Sequence, residues 1–238
     1  MAVVIPMNSD KESKPAIKAQ ELYRFYHAGD EETFALRGVS LAVEAGEMVA
    51  IVGPSGSGKS TLLACLAGLD EPDGGYVVMA GNRITRRPEA VRAALRARWI
   101  GVLLQSGNLL DHLTVTDNIR MVQYLSPGSD QKVRDLLAAV GLADRAMAWP
   151  STLSGGEAAR AGLAVALANN PPILLADEPT GEVDVANEAI ILNLLSERAE
   201  HGGIVIVVTH SERVASAADR IIRLFDGRII NEESTSTG

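Results

Sequence analysis

The sequence predicts an α/β fold organised around a parallel β-sheet, and three observations support this. A glycine- and serine-rich segment, residues 53–60, follows the apolar run Met48–Val52 and precedes a Leu/Ala-rich segment, which indicates strand, loop and helix in succession. A second apolar run ends in two carboxylates, Asp177 and Glu178. The near-continuous β-branched run Ile204–Val208 is typical of a parallel strand that is covered on both faces.

Length and composition describe one globular unit. The 238 residues suffice for a single α/β domain with an inserted subdomain, and 22% charged with 47% apolar residues is ordinary for such a chain. No apolar run approaches the ~20 residues that would span a bilayer, and residues 1–15 lack the features of a secretory signal. We therefore expect a soluble, intracellular subunit. The net charge of −8 argues against a broad nucleic-acid-binding surface.

The first third of the chain predicts a small antiparallel sheet. Residues 17–26 and 34–43 have the alternation of strands, and residues 76–79 form a third strand after an Asp-Gly-Gly turn. Pro88 is suited to a first helical turn, so a helix should follow it to about residue 98. A short buried strand, residues 99–104, should then end on Gln105.

The remainder predicts a helical insertion and then a return to the sheet. Residues 106–170 are helical in pattern, residues 172–176 form a strand, and Val185–Glu200 forms a helix. An Asp-Gly turn joins two further strands after residue 220, and we expect the polar tail from residue 232 to be frayed. We expect one domain, 1–238, in which 16–105 and 171–231 form the core with its antiparallel subdomain and 106–170 form a helical subdomain.

The segment 53–60 has the pattern of a phosphate-binding loop. Its glycines leave the backbone free to turn and to approach an anion, so that successive N–H groups and the start of the next helix face a β-phosphate. Lys59 should reach the β- and γ-phosphates, and Ser60 should offer its hydroxyl to Mg²⁺. The residues that we predict to bind nucleotide here are Gly53, Ser55, Gly56, Ser57, Gly58, Lys59, Ser60 and Thr61.

The two carboxylates after the strand 172–176 indicate hydrolysis. Strands of a parallel sheet present ligands at their carboxyl ends, so Asp177 and Glu178 should reach the same edge as the phosphate loop. Asp177 would hold Mg²⁺, and Glu178 would polarise the attacking water. His210 follows the strand Ile204–Val208 and can point at this edge. A solvated acidic turn is the alternative interpretation of the carboxylate pair.

A second candidate anion site lies in the helical insertion. Ser154, Gly155 and Gly156 stand at a helix start, where backbone N–H groups are free to bind an anion. Because one nucleotide needs only one such cradle, the second would serve the nucleotide of another subunit across a dimer interface. The alternative is an ordinary capped helix start.

Six motifs in this order resemble the nucleotide-binding subunit of an ABC transporter, from about residue 17 to residue 230. The resemblance implies a P-loop NTPase (RecA-like) core, with residues 53–60 as Walker A, Asp177 as the Walker B aspartate and Glu178 as catalytic base. It also implies Gln105 as the Q-loop residue that touches Mg²⁺, residues 153–157 as the signature and residues 181–184, ending in Asp184, as the D-loop. His210 would be the switch histidine that contacts the γ-phosphate.

An aromatic residue of the first strand should stack on adenine, and Tyr26 fits this position best. The neighbouring Tyr23 and Phe25 offer the same chemistry, and an aromatic residue in a strand is often part of the core. The choice among the three depends on which side chain faces the phosphate loop.

Further positions, including the Leu-Ser-Gly-Gly-Glu form of the signature, resemble the branch that contains MacB, LolD and FtsE. This implies an ATP- and Mg²⁺-dependent motor on the inner face of the plasma membrane. Its partners would be a separate membrane permease, docked near residues 105–118, and a second ATP-binding subunit. The alternative is an FtsE-like module that regulates a membrane-bound enzyme without transport. A soluble DNA-repair or translation ABC protein is disfavoured because a coiled-coil insertion and a second cassette are absent from the sequence.

The helix after the signature departs from the family pattern. Ala159 and Val165 replace a usual glutamine and arginine, and Gly162 should cost up to ~1 kcal/mol relative to alanine inside a helix. Because the chemistry-bearing residues are retained, we still expect an active enzyme. The departures leave open whether the second subunit is a copy of this chain or a different ATPase.

Overall fold

The structure is a computed structural model that describes residues 16–28, 31–125, 132–181 and 183–235. The predicted arm, residues 1–15, lies outside these ranges. The strands are β1 Ala16–Ala28, β2 Glu31–Glu44, β3 Met48–Val52, β4 Gly74–Met79, β5 Asn82–Arg83, β6 Ile100–Leu103, β7 Ile173–Asp177, β8 Ile204–Val208, β9 Arg220–Phe225 and β10 Arg228–Ser234. The α-helices are α1 Lys59–Leu66, α2 Glu89–Trp99, α3 Val115–Leu125, α4 Val133–Ala139, α5 Gly155–Ala166, α6 Val185–Glu200 and α7 Glu212–Ala217.

Two sheets form, and their topology confirms the predicted α/β class. The larger has the order β10-β9-β3-β8-β7-β6, and every pairing from β9 to β6 is parallel. All residues of β7 and β8 are buried, as expected for parallel strands covered on both faces. The smaller sheet has the order β2-β1-β4-β5 and is antiparallel, as its alternating sequence predicts.

The core lies on both faces of the six-stranded sheet. Because successive side chains of a strand point to opposite faces, Val49 and Ile51 of β3 pack with α1 and the antiparallel sheet. Met48 and Ala50 of the same strand pack instead with α6 and α7. This arrangement places β3 and β8 at the centre, so the loops at their carboxyl ends lie next to each other.

A third apolar cluster joins the helices of the segment between β6 and β7. Val115 and Ile119 of α3 pack with Leu136 and Leu137 of α4 and with α5. Leu136 and Leu137 of α4 are buried, as is the following Val140, so this helix turns one apolar face towards the cluster. Within the described ranges, no helix is both long and apolar enough to cross a membrane.

The presence of a glycine inside α5, at position 162, is explained by packing that the sequence did not reveal. A Cβ atom on Gly162 would lie 2.9 Å from the Cβ of Asn108 and 3.1 Å from the Cδ1 of Leu103. Asn108 in turn binds the backbone of Leu104 at both its N–H and its carbonyl group. The glycine therefore lets α5 approach the loop that follows β6.

The expectation of a frayed tail from residue 232 is wrong for residues 232–234. These residues belong to β10, where Glu232 pairs with Ile222 and Glu233 with Ile221 of β9. The polar composition reflects exposure of the strand to solvent rather than loss of pairing, since backbone hydrogen bonds do not depend on apolar side chains.

Candidate nucleotide-binding site

The phosphate loop connects β3 to α1 and is shaped by close backbone approaches. Gly58 has a φ of 100°, and a Cβ there would lie 2.2 Å from the carbonyl oxygen of Ala35. A Cβ on Gly53 would lie 2.1 Å from the carbonyl oxygen of Leu224. Any larger residue would displace the loop from the start of α1, whose free N–H groups attract anions.

Lys59 already lies over this loop. Its side chain is 7% exposed, and Nζ donates to the carbonyl oxygens of Gly53 at 2.8 Å and Pro54 at 2.9 Å. Burial lowers the pKa of Lys59, although the charges of Glu178 and Asp177 act in the opposite direction. The ammonium is thus held against the backbone of the loop, and a cation in this position is suited to contact a phosphate group.

The carboxylate pair lies at the end of β7, beside the phosphate loop. Asp177 is 8% exposed, and Glu178 follows it with a φ of 48°, a left-handed conformation that is strained for glutamate. The backbone N–H of Glu178 donates to the carbonyl of Val208 at 2.9 Å, which fixes this conformation against β8. Such strain is concentrated at functional sites, where surrounding contacts maintain it.

His210 meets Glu178 at this edge. The backbone N–H of His210 donates to Oε2 of Glu178 at 3.2 Å, and its Nε2 lies 3.3 Å from Oε1. This Oε1 is buried, and no donor among the described residues, including the Nε2 of His210, meets it with the geometry of a hydrogen bond. A buried carboxylate oxygen without a donor is suited to accept one from a water molecule.

Tyr26 is the aromatic residue that faces the loop. It lines the same cleft as Lys59, whereas Phe25 packs edge-on against Phe34 and Tyr23 lies against Gly38 and Gly74. The Tyr26 hydroxyl donates to Asp70 Oδ2 at 2.6 Å. Burial, and after it this hydrogen bond, raises the pKa of Tyr26, so its phenol stays protonated.

Asp70 and Arg24 hold the Tyr26 ring, and no local pattern in the sequence signals this contact. The Arg24 guanidinium lies 4.6 Å from the ring centroid of Tyr26, and its Nε donates to the same Oδ2 of Asp70 at 2.9 Å. Burial alone would raise the pKa of Asp70, but the hydrogen bonds from Arg24 and Tyr26 outweigh it and lower the pKa. The carboxylate is therefore ionised and anchors both side chains.

One cleft of about 550 Å³ brings most of the predicted residues together. This volume suits a small-molecule ligand. Thr33 and Ala35, alternate residues of β2, complete the wall and were not predicted. The predicted residues that line the cleft are Tyr26, Ser55, Gly56, Gly58, Lys59, Ser60, Thr61, Gln105, Asp177, Glu178 and His210.

Six predicted residues do not line this cleft: Gly53 and Ser57 belong to the phosphate loop itself, whereas Ser154, Gly155, Gly156 and Asp184 stand at the starts of α5 and α6. Ser154 caps α5: its Oγ accepts from the N–H of Glu157 at 3.2 Å, and Oε2 of Glu157 accepts from the N–H of Ser154 at 2.9 Å. Arg145 also donates to Glu157, and this hydrogen bond, together with the one from the Ser154 N–H, lowers the pKa of Glu157 to about 2. The capped helix start is therefore present. By helix geometry, the N–H groups of Gly155 and Gly156 have no partner within α5.

Asp184 caps the neighbouring helix α6. Its carboxylate accepts from the N–H of Asn187 at 2.9 Å and from the side-chain amide of the same residue at 2.8 Å. A Cβ on Gly156 would lie 2.4 Å from that amide nitrogen, so the signature start and the start of α6 pack directly together. Glu182, within the predicted D-loop, lies outside the described residues.

The oxygen donors beside the phosphate loop fit a hard cation. The hydroxyl of Ser60, the carboxylate of Asp177 and the amide oxygen of Gln105 line one cleft, and Mg²⁺ prefers such ligands. Among the described residues, no three His, Cys, Asp or Glu side chains form a metal cluster. A nucleotide-bound Mg²⁺ does not need one, because phosphates and water supply most of its ligands.

Residues 36–181 match the family model of the ABC transporters. The chain belongs to this family. The ABC cassette is 40% identical to the macrolide export ATP-binding/permease protein MacB of Escherichia coli K12 over 221 residues. This match covers 91% of the chain and 34% of the relative. It is 41% identical over 220 residues to an uncharacterized ABC transporter ATP-binding protein of Thermotoga maritima, and this match covers 91% of the chain and 94% of that relative. The chain thus spans about a third of the length of the MacB relatives.

Solved structures of similar fold indicate the same family. The cassette resembles a dimeric bacterial ABC transporter cassette with a TM-score of 0.88 and 35% identity, over 93% of this chain and all of that one. A post-hydrolysis state of that cassette, bound to ADP and Pi, has a TM-score of 0.87. The predicted ABC transporter family and P-loop fold are confirmed.

Proposed function

We propose that this chain is the ATP-hydrolysing motor subunit of an ABC transporter and drives a separate membrane permease. The observation that carries the catalytic part is Glu178, held in a strained conformation beside His210 and across the cleft from Lys59. This arrangement provides a carboxylate for the attacking water and a cation for the γ-phosphate. Phosphoryl transfer depends mainly on such positioning and charge neutralisation.

Each residue has a distinct proposed part in the reaction. Tyr26 stacks on the adenine ring, while the loop N–H groups and Lys59 bind the β- and γ-phosphates. Glu178 accepts a hydrogen bond from the water at its Oε1 and takes the proton as the water attacks; His210 contacts the γ-phosphate. Ser60, Asp177 and Gln105 would hold Mg²⁺, which supplies charge neutralisation on the phosphates when bound.

We propose that the site is completed by a second ATP-binding subunit. Ser154, Gly155, Gly156 and Asp184 lie outside the cleft of their own chain, as expected of residues that serve the nucleotide of a partner. The γ-phosphate would then lie between Lys59 and His210 of one subunit and the α5 start of the other. The similar cassette of known structure is dimeric, which supports this arrangement.

We further propose that the permease docks beside Gln105. A second cleft, of about 470 Å³, is lined by Gln105 and Glu178 together with Asn108, Ser151 and Ala158 from the helical segment. A partner seated there would contact the helical segment and two residues of the nucleotide cleft at once. In this proposal 106–170 form a helical subdomain on a core of 16–105 and 171–231, and the chain resides at the cytoplasmic face of the membrane through its permease. The relatives named MacB favour transport over FtsE-like signalling.

Replacing Glu178 with Gln tests the catalytic proposal. The amide cannot take the proton of the attacking water, so ATP hydrolysis should fall by about 100-fold or more. ATP binding should persist, and an ATP-dependent dimer should become visible by size-exclusion chromatography. Glu200→Gln, an equal change at the exposed end of α6, is the matched control and should retain full turnover. Undiminished hydrolysis by the Glu178 variant would refute its role as base.

A further inference from the structure

Glu188, in the first turn of α6, joins that helix to the loop that carries His210. Its Oε1 accepts from the hydroxyl of Ser211 at 2.9 Å, and its Oε2 pairs with Nη1 of Arg213 at 2.9 Å. The side chain is 13% exposed, so the carboxylate is largely shielded from water. Both of its partners lie within three residues of His210.

Ser211 transmits this contact to the backbone beside His210. Its N–H donates to Oγ1 of the buried Thr209 at 2.9 Å, and its Oγ accepts from the N–H of Val214 in α7 at 3.4 Å. His210, between Thr209 and Ser211, is itself 57% exposed and contacts Glu178. The exposed ring thus depends on its neighbours for a fixed position.

The same helical turn contacts the signature start. Asn187, next to Glu188, packs its amide against Gly156 and binds the N-cap residue Asp184. The backbone N–H of Glu188 donates to the carbonyl of Asp184 at 2.9 Å. One turn of α6 therefore connects residues proposed to serve the partner's nucleotide with the histidine proposed to serve its own.

We propose that Glu188 is a positioning residue that fixes the His210 loop to the first turn of α6 and so to the signature start. The inference rests on the proposed role of His210 at the γ-phosphate. Glu188 does not line the nucleotide cleft, so its loss should lower the rate of hydrolysis with little change in ATP binding. A misplacement of about 1 Å at a reacting group can reduce a rate by up to ~100-fold.

The experiment measures kcat and KM for ATP in the full chain, with melting temperature as a check on folding. Glu188→Ala should lower kcat about 10-fold with KM within about 2-fold of the wild type. Glu188→Gln keeps an oxygen that can accept from Ser211 and should recover most of the rate. Arg213 is itself 55% exposed, so Arg213→Ala removes only a solvent-screened ion pair and should change kcat by less than about 2-fold.

A double-mutant cycle tests the route through Ser211. If Glu188 acts through this hydroxyl, Glu188→Ala in a Ser211→Ala background should reduce kcat no further. Wild-type kcat in the stably folded Glu188→Ala variant would overturn the proposal, as would equal losses in Glu188→Ala and Glu188→Gln. His210→Ala separates the two proposals. Full turnover of the His210→Ala variant would refute the role of His210. If His210→Ala loses turnover while Glu188→Ala retains it, only the role of Glu188 is refuted.

Discussion

Tyr26 should contribute to ATP affinity in two separable ways. Tyr26 is 40% exposed and lines the cleft, and its side chain also contacts the Arg24 guanidinium and the carboxylate of Asp70. Stacking of a base on an aromatic ring is worth about 1–3 kcal/mol, so Tyr26→Ala should weaken ATP binding by about 5- to 150-fold.

Tyr26→Phe keeps the ring and removes only the hydroxyl. A hydrogen bond to a charged group contributes about 1.5–3 kcal/mol when it is shielded, and partial exposure reduces this to about 1 kcal/mol here. Because the bond orients the ring and does not touch the nucleotide, only part of that energy should appear in binding. We expect an increase in Kd of about 2- to 5-fold.

The assay is a fluorescence titration with ATP in the Glu178→Gln background, where little nucleotide is consumed. Tyr23→Ala and Phe25→Ala are the matched controls, because these aromatic residues share β1 but pack elsewhere. Both should bind ATP with wild-type affinity. Unchanged affinity in Tyr26→Ala, or a loss confined to either control, would show that the ring facing the cleft was wrongly assigned.

Three further outcomes are expected. Gly162→Ala should lower the free energy of unfolding by about 1 kcal/mol, measured by urea denaturation. Overpacking against Asn108 costs about 1–3 kcal/mol, which exceeds the ~1 kcal/mol gain in helix propensity. A more stable variant would contradict this prediction. The pKa of Glu157 falls from its usual 4.5 to about 2 in the folded chain, so its stabilising contribution is present above pH 4.5 and is lost as pH falls towards 2. The urea midpoint of the wild type should therefore fall more steeply over that window than that of Glu157→Gln; equal slopes would refute it. Removing Mg²⁺ with EDTA should abolish ATP hydrolysis without changing the melting temperature of the nucleotide-free chain, and turnover in EDTA would exclude the proposed metal site.

Much of the site could be predicted from spacing because its chemistry is local. The phosphate loop lies between a strand and a helix, and Asp177, Glu178 and His210 stand at strand ends, so the parallel sheet alone brings them to one edge. The helix Val185–Glu200 was predicted with the bounds that the structure shows, because its apolar periodicity is long. The pairing of the last residues of β10 could not be predicted, since a polar edge strand has no apolar alternation to signal it.

The sequence by itself determined the family, the order of the motifs and the residue types that we propose to hydrolyse ATP, since each depends on short segments of chain. Only the tertiary structure decided that Tyr26 faces the cleft, that Gly162 gives room to Asn108, and that Glu188 contacts Ser211 beside His210. Tyr26 and Asp70 are 44 positions apart, and Glu188 and Ser211 are 23 apart. Such pairs meet only when the sheet closes and the helices pack on it, so no local pattern in the chain specifies them.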